Sequence, residues 1–155
     1  MLTSRERVQR TLNHQEPDRI PFDLGGTPMS GIHHIAYKNL RQYLGLPDEE
    51  IKISDYIQLL AAVSDDMKDR LQVDIHNIAP RSSAAFNLGF QIDGDYSTYI
   101  DEWGIGWRSP LEGGLYYDMF SWPLAQYDSI EAIKQNYKWP DPTDPNRFTG
   151  LRAAA

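Results

Sequence analysis

A chain of 155 residues with 15 Lys+Arg against 22 Asp+Glu, a net charge of −7 and 41% hydrophobic residues has the size and apolar content of one folded domain. The lack of any Cys excludes disulfides, thiol nucleophiles and thiolate metal sites within these residues, and makes the cytoplasm the expected compartment. No basic patch is present for nucleic-acid phosphates, no apolar run approaches the roughly 18 residues of a membrane span, and residues 1–10 lack the apolar core of a signal peptide, so neither nucleic acid nor membrane is an expected partner.

Charge is uneven: residues 1–53 carry 7 basic and 7 acidic side chains and residues 54–155 carry 8 and 15, which reads as a solvated acidic face. Residues 1–19 are expected to form a helix and a loop. Thr3 and Glu6 stand at capping-box spacing, a helix follows to about Asn13, and Val8 and Leu12 form its only apolar stripe. The polar, Pro-containing stretch 13–19 ends it.

Residues 20–24 (IPFDL) read as a short strand running into the tight turn Gly25-Gly26-Thr27. Apolar residues at helical spacing from Ile32 to Leu44, closed by Gly45, predict a helix within 30–44. Ser54 or Asp55 could cap a long helix through Leu71, with Tyr56, Leu59, Leu60, Val63 and Met67 on its buried stripe. Residues 73–79 alternate as a second strand, so 20–80 has the order of a βαβ crossover with a parallel sheet.

In 81–127, the β-like pieces 90–93, 97–100, 105–108 and 115–118, separated by Gly-containing turns, predict antiparallel hairpins. The last part, 128–155, reads as a short helix from Asp128, a rigid Pro-rich linker at 139–145, and a helix over 146–155 that is cut at Ala155.

Asp23 stands just before a turn at the C-terminal end of a strand, where α/β sheets and barrels place ligand-binding groups, and it reads equally as a site residue or a turn cap. Gly25 and Gly26 resemble the opening of a phosphate loop without the remaining motif, so a simple turn is the plainer reading. His33 and His34, adjacent on a helix, point about 100° apart and cannot bind one metal from one face. Either could face a pocket above the glycines or serve as a structural histidine. One of His76 and Asn77, on opposite faces of the second strand, should point to the interior side of the sheet. The aromatics Trp103, Trp107, Tyr116, Tyr117, Phe120 and Trp122 could line a groove or pack the hairpins.

The segments TSRERV (3–8), NHQEPDRIP (13–21), FDLGGT (22–27), DEWG (101–104) and WPDP (139–142), in this order, resemble the N-terminal part of the uroporphyrinogen decarboxylase superfamily, most closely its branch of corrinoid-dependent methyltransferases. The resemblance implies a (β/α)₈ barrel with residues 20–24 as its first strand and 73–79 as its second. A complete barrel needs about 250 residues, so the expectation is an incomplete barrel: an N-terminal portion whose parent enzyme moves a methyl group between a corrinoid and a thiol-type acceptor.

The implied partner is a small molecule or corrinoid protein. Asp23 and His76 become the catalytic candidates, and Gly25, Gly26, His33 and Asn77 the substrate-binding ones. Zinc and a corrinoid are implied for the parent, with no metal ligand among these residues and no turnover by the isolated chain. Tetrapyrrole decarboxylation in porphyrin biosynthesis is the alternative within the family, although the family's arginine-rich segment is replaced here by FDLGGT and only Arg19 is near. A non-catalytic acidic module that binds through its aromatic hairpins is the alternative of another class.

Overall fold

The computed structural model describes residues 1–155 as two compact units, 1–77 and 78–155, with mixed α/β content: five short α-helices and two small antiparallel sheets. No helix is long and apolar enough to cross a membrane.

In the first unit, helix α1 (Ser4–Leu12) begins at the expected capping box: the Thr3 hydroxyl accepts from Glu6 N–H at 3.3 Å and the Glu6 carboxylate accepts from Thr3 N–H at 2.8 Å. The buried residue of α1 is not on the Val8/Leu12 stripe. Arg7 is 3% exposed whereas Leu12 is 73% exposed.

Helix α2 (His34–Tyr43) starts two residues after the first residue of its apolar pattern, Ile32, because Gly31 and His33 are extended and His33 is the N-cap, its Nδ1 accepting from Ile35 N–H at 3.3 Å. Strands β1 (Ile53–Asp55) and β2 (Leu60–Ala61) form a two-stranded hairpin, and helix α3 (Asp65–Leu71) follows.

The long helix expected over 54–71 is therefore wrong in its first half. Asp55 accepts from Gln58 N–H at 2.7 Å and closes a turn, and Ser54 donates to the carbonyls of Leu60 and Ala61. Both polar side chains serve the hairpin instead of capping a helix. Met67, Tyr37, Ala61 and Val63 make the core, with Leu24, Ile32 and Leu40 packed around them. Its polar boundary is Arg41, 3% exposed, which donates to Asp66, Ser64 and the Pro47 carbonyl.

Neither expected strand, 20–24 or 73–79, forms a ladder. The two segments lie side by side and share one backbone bond, Asp74 N–H to Phe22 C=O at 2.8 Å. The reason is local: Pro21 has no N–H to give, and the Phe22 N–H donates to the Asp74 carboxylate at 2.9 Å. The only sheets are antiparallel, which corrects the expectation of a parallel sheet formed within these residues.

The second unit is organised by a four-stranded antiparallel sheet of β3 (Gln91–Asp93), β4 (Tyr96–Ile100), β5 (Gly106–Pro110) and β6 (Asp118–Ser121), in that spatial order. The hairpin expectation holds, with one offset. The fourth strand begins where the predicted piece 115–118 ends, since Leu115 and Tyr116 are exposed and Tyr117 is anchored just before the strand by its hydroxyl, 2.7 Å from Ser97 Oγ. Tyr99 of β4 packs edge-on against Phe90 and Tyr117, which meet each other at a tilt, at centroid distances of 5.0–6.1 Å.

Helix α4 (Ile130–Asn136) is capped by Ser129, whose hydroxyl accepts from Ala132 N–H. The expected final helix is split into a 3-10 turn at Pro145–Phe148 and the short helix α5 (Leu151–Ala154), because Gly150 between them adopts φ +85°. Arg147 reaches Glu102 at 2.7 and 3.1 Å and closes this unit.

Candidate functional site

The residues that sequence reasoning singled out divide into three groups. Asp23, Gly25 and Gly26 form one turn. Asp23 Oδ1 accepts from Gly26 N–H at 2.9 Å, and the Gly25 N–H donates to Ser30 C=O at 3.0 Å.

Glycine is required by the surroundings. A Cβ on Gly25, at φ +80°, would lie 2.8 Å from Val63 Cγ2, and one on Gly26 would lie 2.4 Å from Asp23 Oδ1 and 2.8 Å from Ile75 Cγ2. The turn thus rests on the core through Val63 and on the second extended segment through Ile75. Asp23 caps the turn with one oxygen, which bears out the cap reading, and its other oxygen makes no hydrogen bond.

His33 is committed to the start of α2. It also bridges toward Leu60, through the bond from His34 N–H to Leu59 C=O at 2.9 Å and that from Ala61 N–H to Ile32 C=O at 2.9 Å. The His34 imidazole stacks obliquely on His33 at 4.5 Å, and burial, then the neighbouring His33, holds its pKa below the usual value. His76 and Asn77 follow Ile75 directly, and both are exposed. Neither faces an interior, contrary to the alternation expectation.

Beneath the turn lies a feature that sequence reading missed. The Asp74 carboxylate, with no exposed side-chain surface, accepts from Arg7 Nη1 at 2.5 Å, from Arg19 Nη1 at 2.7 Å and Nη2 at 3.2 Å, and from Phe22 N–H. Arg7 also binds Asp18 at 2.7 and 3.0 Å and the Leu2 carbonyl at 2.9 Å.

Burial pushes the Asp74 pKa up, but the Phe22 N–H, the Ser4 hydroxyl and the two guanidinium groups outweigh it and bring the acid down to about 2. Hydrogen bonding from Arg7 likewise holds Asp18 well below the carboxylate range, and Asp18 in turn raises Arg7. This network fixes α1 and the loop before residue 20 to the second extended segment. It also engages both terminal nitrogens of Arg19, which donates to the Gln72 carbonyl as well.

No group of three or more His, Asp or Glu side chains is placed to hold a metal ion. With no Cys in the sequence, these residues do not build the zinc site implied by the family resemblance.

Fold and site together define a mixed α/β chain in which a glycine turn bearing one half-engaged carboxylate is braced by a buried Arg–Asp network. Compared with protein-family models, with curated proteins and with solved structures, the chain matches none.

Proposed function

We propose that these residues are the first part of a uroporphyrinogen-decarboxylase-like (β/α)₈ barrel, with 20–24 and 73–79 as its first two strands, and that the parent is a cytoplasmic enzyme moving a methyl group between a corrinoid and a thiol-type acceptor. The observation that carries this reading is the pairing of Phe22 with Asp74 next to the Asp23–Gly25–Gly26 turn. Two extended segments separated by helices lie side by side there, and one of them runs straight into a carboxylate-bearing turn, the position at which barrels place their reactive groups.

Under this reading the free oxygen of Asp23 accepts a proton or a polar hydrogen from the substrate. Gly25 and Gly26 keep the floor open, and the exposed His76 and Asn77 supply polar contacts from the neighbouring strand end, with His33 fixing the start of the following helix. The engagement of Arg19 with Asp74 favours this branch over tetrapyrrole decarboxylation, since a polycarboxylate substrate calls for free guanidinium forks. Under the same reading, zinc and the corrinoid would be held by later residues of the parent barrel.

The test is to express the complete reading frame that carries these residues and supply methylcobalamin with 2-mercaptoethanesulfonate, following loss of the cobalt–carbon absorption. Thiol-dependent demethylation that falls by about 100-fold in Asp23→Asn is the expected result. Release of carbon dioxide from uroporphyrinogen instead, or no turnover of either substrate by folded protein, overturns it.

A further inference from the structure

The second unit contains an apolar groove of about 320 Å³ walled by Trp103, Trp122, Tyr137 and Trp139, with Met119 among the remaining lining residues. We propose that this groove is a binding site for a small organic cation of the methylated-ammonium class. The proposal is independent of the reading above.

Three observations carry it. First, the rings form walls rather than a stack. The Trp103 and Tyr137 planes meet that of Trp139 at 81° and 84°, with centroids 6.5 and 4.7 Å away. Trp103, Trp122 and Trp139 remain 47%, 58% and 54% exposed. Several half-exposed aromatic rings around one small apolar space suit a quaternary ammonium, whose diffuse charge is attracted to aromatic rings and whose methyl groups need no hydrogen-bond acceptor.

Second, the walls are held before any ligand arrives. The Tyr137 hydroxyl donates to the Trp103 carbonyl. Asp101 accepts from Trp103 N–H, Ile105 N–H and Trp107 Nε1, each at 2.9 Å, which fixes the turn that carries Trp103.

Third, the local charge has the matching sign. No Lys, Arg or His lines the groove. Asp101 makes no ion pair, so its charge is not cancelled by a cation, and after burial it is the Asp101 charge that raises the Tyr137 phenol pKa, which places its field at the groove. An uncharged ligand of the same shape would gain from the apolar walls but not from this field.

The experiment titrates the full 155-residue chain with choline and, separately, with 3,3-dimethylbutan-1-ol, its neutral carbon isostere. Tryptophan emission is the readout, since three of the four Trp residues line the groove. Choline is expected to give a saturable change at a concentration at least about fivefold lower than the alcohol. The same titrations on Trp139→Leu and Trp122→Leu, each checked for native circular dichroism, should reduce that preference by about two- to fivefold per ring removed. Trp122 lies outside the Trp103–Trp139–Tyr137 ring contacts, so Trp122→Leu decides the matter if Trp139→Leu fails to fold. Equal binding of the two probes, no saturable change with either, or an unchanged preference in a folded variant overturns the proposal.

Discussion

Replacing Asp74 by Asn should be among the most damaging single substitutions in this chain, although it changes the side-chain volume very little. The carboxylate is fully buried and accepts one hydrogen bond from Arg7, two from Arg19 and one from the Phe22 backbone, with the Ser4 hydroxyl stabilising it as well. An Asn amide offers one acceptor oxygen and turns an NH₂ toward groups that are all donors. Arg7, itself 3% exposed, then keeps only Asp18 and the Leu2 carbonyl.

Breaking a buried ion pair from one side typically costs about 3–5 kcal/mol, mostly through the charge left uncompensated, against a total stability of about 5–15 kcal/mol for a domain. With a urea m-value of about 2 kcal/mol per molar, the midpoint should fall by roughly 2 M. The assay is urea unfolding followed by far-UV circular dichroism, with tryptophan emission recorded in parallel. All four Trp residues lie between 103 and 139, so emission reports the second unit alone. Arg7→Ala and the double variant complete a cycle, which should be strongly non-additive because both changes remove the same contacts. A loss below about 1 kcal/mol in Asp74→Asn, or additivity in the cycle, would refute the claim that this network holds the first unit together.

Acid should destabilise the protein in two stages. His34, whose folded-state pKa is held below its usual 6.5, loses stability as pH falls through about 6.5, because the unfolded chain binds the proton more readily; Asp74, held at about 2, contributes fully above about 4 and is lost as pH falls from 4 to 2. Melting temperature against pH should show both phases, the second reduced but not abolished in Asp74→Asn, because Asp18 and Asp66 are also held low by Arg7 and Arg41. Gly25→Ala should cost about 2–4 kcal/mol, combining left-handed backbone strain with the clash on buried Val63, whereas Gly45→Ala, at φ +68° with nothing near its Cβ, should cost only about 1–2 kcal/mol in the same denaturation assay. Thr3→Ala removes the hydroxyl half of the α1 capping box and should lower stability by about 1 kcal/mol, measurable as a reduced midpoint with unchanged m-value.

The elements that could be read from sequence are those fixed by neighbours. Thr3 and Glu6 declare the start of α1 because the capping box is closed within three residues, and Gly94, at φ +56° in the turn between β3 and β4, declares a hairpin for the same reason. The long helix over 54–71 failed because Tyr56, Leu59, Leu60 and Val63 satisfy helical spacing as well as a hairpin does. The deciding contacts, Ala61 N–H to Ile32 C=O and Ala62 N–H to Lys52 C=O, come from other elements.

The site shows the same division between what is local and what is distant. That Asp23 and Gly25-Gly26 belong together was legible, since the Asp23 to Gly26 bond spans three residues. The state of Asp74 was not. Alternation puts Asp74 on one strand face with His76, yet Asp74 is buried and His76 is exposed. Two arginines, 67 and 55 residues away in sequence, draw the carboxylate inward. Once there, Asp74 competes for the Phe22 N–H that a strand ladder would otherwise use, so the network beneath the turn limits the pairing of these segments to the single Asp74–Phe22 backbone bond. Under the proposed function, with Arg19 held by Asp74 and Gln72, the group that the Asp23 turn would present is its second carboxylate oxygen, which suits a ligand offering a proton or a polar hydrogen over one that arrives as an anion.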